Sequence, residues 1–282
     1  MALPDGLDLD DFIRRTLAED LGSGGDVTSM ATIAEDARFS AEMHARQHIV
    51  VAGLEIAAAF FRSVDDGVKV DLRVPDGDKV EAGSTLMRLE GRVRSMLTAE
   101  RSALNTLQHL SGIATLTRTY VDAIAGTGAT LLDTRKTIPG LRLLEKYAAR
   151  MGGAHNHRMR LDDGVLIKDN HVAVCGGVAE AVRRAKAANT GLQVQVEVDR
   201  IDQIEPALAA GADRLLLDNM DPAMLREAVS LVSGRVPLEA SGGVTLETIR
   251  FIAETGVDFI SVGRITQSAP AVDIGLDYSL KD

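Results

Sequence analysis

Apolar residues recur at helical spacing near the start of the chain. Leu9, Phe12, Ile13 and Leu17 follow i, i+3, i+4 intervals, which predicts a helix over about residues 8–21. Gly22 supplies its C-cap, and Ser23-Gly24-Gly25-Asp26 reads as a turn. Short apolar runs follow at about 37–51, 68–74 and 85–93, the later ones separated by the turns Pro75-Asp76-Gly77-Asp78 and Glu81-Ala82-Gly83. They predict a small α+β domain with an antiparallel sheet. A long helical stretch over about 97–125 leads out of it.

From about residue 128 the rhythm changes to short β-rich runs alternating with helical runs. Strands are predicted at 129–133, 164–168, 193–198, 213–217, 236–240 and 258–262, with a further short one near 154–158. Helices are predicted at about 141–151, 177–189, 202–210, 222–233 and 245–255. Asp221-Pro222 is a helix start, with an N-cap carboxylate and a proline at the first helical position. Gly211 and Gly256 fit C-caps. A weak repeat runs through this half: Gly211-Ala212-Asp213 precedes Leu215-Leu216-Leu217, and Gly256-Val257-Asp258 precedes Phe259-Ile260-Ser261-Val262. Successive βα units give a parallel sheet. The fold class expected is α/β: an incomplete, six- to seven-stranded α/β barrel with an N-terminal α+β sandwich domain. An open doubly wound sheet is the alternative. The expected domains are residues 1–115 and 116–270, with the segment of about 270–282 packing on the first.

In α/β barrels the C-terminal strand ends carry the chemistry. Here they bring Asp133-Thr134-Arg135-Lys136, His155-Asn156-His157-Arg158, Lys168-Asp169-Asn170-His171, Glu197, Asp218-Asn219, Ser241-Gly242-Gly243 and Ser261-Val262-Gly263-Arg264. In Gln193-Val194-Gln195-Val196-Glu197-Val198 the valines are expected to face the outer helices, and the glutamines and Glu197 the barrel axis. A carboxylate there requires a charged or metal partner.

Charge sharpens this picture. The 282 residues carry 31 basic and 41 acidic side chains, a net charge of −10. That balance argues against non-specific nucleic-acid binding, and it makes a cluster of Arg135, Lys136, His157, Arg158 and Lys168 conspicuous. Such a cluster calls for an anion, and arginine forks suit carboxylates and phosphates. Gly242, Gly243 and Gly263 leave backbone N–H groups open to phosphate. Glu197 and Asp218 suit a ribose diol or Mg²⁺. The pocket expected is one for a polyanion carrying sugar and phosphate. Taken singly, Lys168, Glu197 and Asp218 each admit a structural ion-pair role, and Ser-Gly-Gly before a helix is often only a capped turn. Their convergence carries the reading. His44, His48 and His109 read as structural or surface residues, and no histidine pair has zinc-ligand spacing. Cys175 is the sole cysteine, so no internal disulfide forms. The acidic start lacks a signal pattern and no apolar run reaches a membrane span of roughly 18 residues, so a cytoplasmic protein without membrane partners is expected.

At these residues the sequence resembles a known family. The run from Asp133 to Arg142 is similar to the DTRKTxPGxR signature of quinolinate phosphoribosyltransferases. The resemblance extends to Glu19-Asp20-Leu21-Gly22, Gly25 to Ser29, Glu100 to Asn105, Leu110 to Thr115, Asn156-His157-Arg158, Leu166 to His171, Leu217-Asp218-Asn219 and Glu239 to Gly243. It implies a type II phosphoribosyltransferase fold and transfer of phosphoribosyl from phosphoribosyl pyrophosphate to quinolinate with decarboxylation, the step of NAD synthesis that yields nicotinate mononucleotide. It also implies a homodimer with shared sites, in which Arg101 enters the partner's pocket; assembly beyond the dimer is left open. Thr134, Arg135, Lys136, His157, Arg158 and Lys168 would hold the quinolinate carboxylates and phosphates. Glu197 and Asp218 would hold ribose hydroxyls and Mg²⁺, and Ser241, Gly242, Gly243 and Gly263 the 5-phosphate. Lys136, Lys168, Glu197 and Asp218 would be the catalytic set. Two positions depart from the pattern: Gln267 replaces a common histidine, and Arg160 a common glycine.

Three rivals follow from parts of the pattern. One is the molybdenum-transport-associated protein that shares the fold. Another is a phosphate-binding barrel lyase with Lys168 as a Schiff-base amine. The third is a carrier module, since Val74 to Gly83 resembles a biotinyl or lipoyl turn. That rival lacks the hairpin-tip lysine.

Overall fold

Helix α1 (Leu9–Leu21) begins where the Asp8 carboxylate accepts from the Asp11 N–H at 2.9 Å, and ends where the Gly22 N–H donates to the Ala18 carbonyl. The computed structural model describes residues 3–279 of the chain. Two compact units emerge. The first holds the described residues up to Leu116, Leu143–Gly153 and those from Ser268 onward; the second holds Thr117–Arg142 and Ala154–Gln267. The predicted division at 115/116 leaves residues 143–153 with the barrel, whereas they group with the first unit.

The first unit continues with α2 (Val27–Thr32), β1 (Arg38–Ala45), β2 (Ile49–Val50), α3 (Leu54–Val64), β3 (Lys69–Leu72), β4 (Lys79–Val80), β5 (Thr85–Arg92) and α4 (Val93–Ala123), whose last residues enter the second unit. Strand β1 alternates as an open sheet face requires, burying Phe39, Ala41, Met43 and Ala45. It pairs antiparallel with β5 and with β12 (Ile274–Ser279), giving the order β12-β1-β5-β3. The expected return of the C-terminal segment to this sheet is thus seen up to residue 279; residues 280–282 lie outside the described part.

Two helices here escape the periodicity reading. Helix α2 starts at Asp26, whose carboxylate accepts from the Ser29 N–H at 2.9 Å, so the expected turn is also an N-cap. Helix α3 is apolar on most sides and buries Leu54, Ile56, Ala57, Ala58, Phe60 and Phe61. Its cap comes from distant sequence: Asp76 accepts from the N–H groups of Gly53 and Leu54 at 2.7 and 3.0 Å. Asp76 also accepts from Tyr147 Oη at 2.6 Å. Asp76 in the Pro75–Asp78 turn therefore anchors two helices. Helix α5 (Arg142–Met151) joins this unit through that contact and through Glu145, fully buried against His109 Nε2 at 2.9 Å.

The second unit holds β6 (Thr130–Leu132), β7 (Val165–Ile167), α6 (Asp169–Cys175), α7 (Val178–Ala187), β8 (Val194–Val198), a 3₁₀ turn at Ile201–Gln203, α8 (Ile204–Ala209), β9 (Arg214–Asp218), α9 (Pro222–Val232), β10 (Leu238–Ser241), α10 (Ile249–Ala253), β11 (Phe259–Ser261) and α11 (Arg264–Gln267). Six parallel strands run in the order β6-β11-β10-β9-β8-β7. This is the incomplete α/β barrel expected. The predicted strand near 154–158 is reduced to one parallel bridge, Leu132 with His155. Asp221 caps α9 as predicted, accepting from the N–H groups of Ala223 and Met224 at 2.8 and 2.9 Å.

The sequence repeat has a mechanical meaning. Asp213 accepts from the Val194 N–H that opens β8, and Asp258 from the Leu238 N–H that opens β10, each at 2.7 Å. Each aspartate satisfies the first donor of a neighbouring strand.

Candidate active site

The exit of β6 is built around Asp133, which is fully buried. Its carboxylate accepts from Asn156 Nδ2 at 2.6 Å and from the His157 N–H at 2.8 Å. Two polar sequence runs are thereby locked together at the barrel mouth. Thr134 Oγ1 accepts from the Lys136 N–H at 3.0 Å, and the Lys136 carbonyl accepts from Thr266 Oγ1 at 2.7 Å. Gly263 lies against the same lysine: a Cβ built there would be 2.8 Å from Lys136 Cδ. The first and last strands thus meet at Lys136.

Arg158 stands beside Arg135. Burial, and then the charge of Arg135, disfavours the Arg158 cation and lowers its pKa from the ordinary arginine range. Arg158 Nη1 donates to the Gly164 carbonyl at 2.9 Å. The Asp163 carboxylate shapes the intervening loop, accepting from the N–H groups of Met159 and Arg160 at 2.6 and 3.2 Å. Arg160 is exposed and has no positive φ, so this backbone does not require the glycine common in the resembled pattern.

The acids stand across from these cations. Lys168 Nζ donates to Glu197 Oε2. Burial, and then the charge of Glu197, raises the Asp218 carboxyl above the usual aspartate value, against Lys168, Asn219 and Lys136. The Lys168 ammonium group is engaged by the Glu197 carboxylate rather than left free as a Schiff-base amine would be. Asn219 Nδ2 donates to Asp218 Oδ2 at 2.7 Å, and the Asn219 N–H donates to the Ser241 carbonyl at 2.9 Å. Ser241 pairs with Asp218 in the β9–β10 register. Beyond it, Gly243 has nothing within 4 Å of where a Cβ would stand, leaving its backbone open. Gln267 is exposed at the end of α11.

No three His, Cys, Asp or Glu side chains gather as a metal-ligand set among the described residues. Glu197 and Asp218 supply hard carboxylate oxygens that repel one another. Such a pair fits Mg²⁺ only in a shell completed by substrate oxygens and water, and does not fit a closed structural metal site. A cavity of about 580 Å³ borders Glu197, lined also by Asp169, Glu180, Arg183, Asp199 and Arg200. Its charged lining is five acids, Glu197, Asp169, Glu180, Asp199 and Asp202, against two arginines, which makes it a poor receptor for an anion.

The second unit therefore gathers Thr134, Arg135, Lys136, His157, Arg158, Lys168, Glu197, Asp218, Ser241, Gly242, Gly243 and Gly263 at its strand ends. Arg101 belongs to the first unit, exposed on α4. Several supporting residues were not singled out from sequence. Asp133, Asn156, His171 and Asn219 lie inside the quoted motifs, which was their only signal. His171 Nδ1 accepts from the Lys168 N–H at 2.9 Å and so fixes the lysine's backbone. Gln195 was flagged by alternation, and Glu239 by its motif; Arg214 had no signal.

Known proteins resemble this chain over most of its length. The family models for the quinolinate phosphoribosyl transferase N-terminal and C-terminal domains match residues 26–111 and 113–277. The chain is 45% identical over 272 residues to a nicotinate-nucleotide pyrophosphorylase (carboxylating) of Mycobacterium leprae, covering 95% of this chain and 96% of that protein. It is 40% identical to a probable enzyme of the same name from Bacillus subtilis, covering 98% and 95% of the two chains. The solved nicotinate-nucleotide pyrophosphorylase of Francisella tularensis superposes with a TM-score of 0.93 at 41% identity, over 99% of this chain and 100% of that one.

Proposed function

The chain belongs to the quinolinate phosphoribosyltransferase family, and from that premise we propose which residues carry the family's reaction. The reaction joins quinolinate to the phosphoribosyl group of phosphoribosyl pyrophosphate, releasing pyrophosphate and CO₂ and giving nicotinate mononucleotide.

Arg135, Arg158, Lys136 and Lys168 hold the two quinolinate carboxylates and neighbouring phosphates, with Thr134 shaping the loop. The observation that carries this assignment is the crowding of Arg158 against Arg135 in a protein of net charge −10. Adjacent half-buried cations repel, and an anion between them relieves both desolvation and repulsion. Ser241, Gly242, Gly243 and Gly263 receive the 5-phosphate on backbone N–H groups.

Glu197 and Asp218 bind ribose hydroxyls and would hold one Mg²⁺ together with substrate oxygens. When bound, Mg²⁺ would offset charge on the departing pyrophosphate. The quinolinate nitrogen attacks C1 of the ribose; the N–C bond forms as the C–O bond to pyrophosphate breaks, through an oxocarbenium-like transition state. The carbon–carbon bond to the adjacent carboxylate then breaks, releasing CO₂. Its electron pair stays on the ring beside the cationic nitrogen until a proton arrives. Lys136 and Lys168 supply positive charge, and the protein's contribution is positioning and electrostatics without a covalent intermediate. A homodimer, with Arg101 of one subunit completing the partner's pocket, is part of the same proposal.

Purified protein given quinolinate, phosphoribosyl pyrophosphate and Mg²⁺ is expected to release CO₂ and nicotinate mononucleotide in equal amounts. Failure to form either product would overturn the reading.

A further inference from the structure

The C-terminal strand reaches the part of α4 that carries Arg101. Strand β12 closes the edge of the sheet on β1, and Tyr278 stands opposite Ala41 in that pairing. Ala41 is buried, so Tyr278 lies on the inner face of the sheet. Its ring meets Phe39 edge-on, with centroids 4.5 Å apart and planes at 77°. The chain leading into β12 runs along α4: the Val272 N–H donates to the Gln108 carbonyl at 3.2 Å, and Gln108 Nε2 donates to the Ile274 carbonyl at 2.8 Å. About two turns earlier in α4, the Glu100 carboxylate accepts from Tyr278 Oη.

The turn of α4 around Arg101 is thereby held from several sides. Ala99, Ser102 and Ala103 are buried beneath it. On one flank Thr98 Oγ1 donates to Asp26 Oδ2 at 3.4 Å, and Arg94 Nε donates to the Ile33 carbonyl at 2.8 Å. Glu100 lies about 200° around the helix from Thr98, and its contact with Tyr278 pins the other flank. Arg101 itself is exposed. Burial raises the Glu100 carboxyl above the usual glutamate range, and the charge of Arg101 works against that shift, so carboxylate and guanidinium feel one another. A long arginine side chain loses rotamer freedom when it binds. A fixed neighbouring charge that narrows its directions beforehand reduces that loss.

We propose that Tyr278 is a positioning residue that acts through Glu100 on Arg101, so that the last strand of one subunit sets the arginine delivered to its partner's pocket. The hydroxyl fixes the carboxylate, and the carboxylate biases the guanidinium. This rests on the reading of Arg101 as a shared-site residue.

Tyr278→Phe keeps the ring against Phe39 and removes the hydroxyl. The folded homodimer is expected to lose about fivefold in kcat/KM; wild-type kinetics would overturn the proposal. A merely structural defect would stay with the mutated subunit, and heterodimers separate the two cases. In Tyr278→Phe paired with Lys168→Ala, the one intact barrel belongs to the Tyr278→Phe subunit and receives Arg101 from a partner whose tyrosine is unchanged. Its kcat/KM per working site is expected to return to the wild-type value. A defect that persists there, while Arg101→Ala paired with Lys168→Ala recovers, overturns this proposal and leaves the shared site standing. If neither pair recovers, the shared-site reading falls and this proposal with it. Glu100→Gln removes the charge beside Arg101 and is expected to behave alike in both arrangements; it decides the matter should Tyr278→Phe not fold.

Discussion

A Cβ on Gly242 would stand 2.2 Å from Asn219 Oδ1 and 2.9 Å from the Asn219 backbone nitrogen. Both residues are left-handed, with φ of 91° and 53°. The Ser241–Gly243 loop, proposed to take the phosphate, and the residue that orients Asp218 are thus in close contact. Gly242→Ala must displace Asn219 as well as strain its own backbone, at roughly 1–3 kcal/mol. It is expected to lower kcat/KM for phosphoribosyl pyrophosphate about tenfold or more. Initial rates against that substrate check this, and wild-type values would remove the coupling.

Arg135→Ala and Lys168→Ala are each expected to lower kcat/KM at least about tenfold, or roughly 1.4 kcal/mol. The lysine variant has a second consequence: Glu197 loses its ammonium partner. Normal kinetics in both variants would contradict the pocket assignment.

Arg101 tests the proposed assembly. Heterodimers of an Arg101→Ala subunit with a Lys168→Ala subunit are expected to regain part of the activity that each homodimer lacks, because one of the two shared sites is then intact. Absence of recovery in verified heterodimers would mean that each subunit carries a self-contained site.

Asp65 links stability to pH. It is 6% exposed and accepts from Arg92 Nε at 2.8 Å and the Gly67 N–H at 3.0 Å. The Arg92 hydrogen bond, foremost, lowers its carboxyl below the ordinary range despite burial. A carboxyl depressed in the fold stabilises above its unfolded value of about 3.9 and loses that contribution as pH falls toward the folded one. Asp65→Asn is expected to cost roughly 1–3 kcal/mol at pH 7. Its deficit against wild type should narrow in acid. Denaturant melts at neutral pH and near pH 3 measure it, and an equal deficit at both would argue against the linkage.

Most of the barrel was legible because its signals are local. Asp221-Pro222 caps a helix from adjacent residues, and the valines of β8 alternate with Gln195 and Glu197. The elements that escaped depend on distant partners. Helix α3 owes its cap to Asp76, more than twenty residues later in sequence, and its exposed stripe is narrow, with Glu55, Arg62 and Ser63 its only exposed residues. Helix α6 buries none of its residues, so no apolar face marks it. The site's charged residues were readable from strand ends. The contact of Glu239 with Gln195 and His157 was not, because it joins three separated segments, although His157 and Gln195 were each singled out.

The discontinuity of the first unit bears on how the protein can be made and cut. Its sheet takes an edge strand from residues 274–279, and its helix α5 is emitted between two parts of the barrel. A nascent chain thus leaves the ribosome with this unit unfinished until the barrel sequence has been synthesised. Neither unit can be excised as one uninterrupted fragment, and a gene truncated near residue 115 would encode a sheet with a bare edge, prone to self-association.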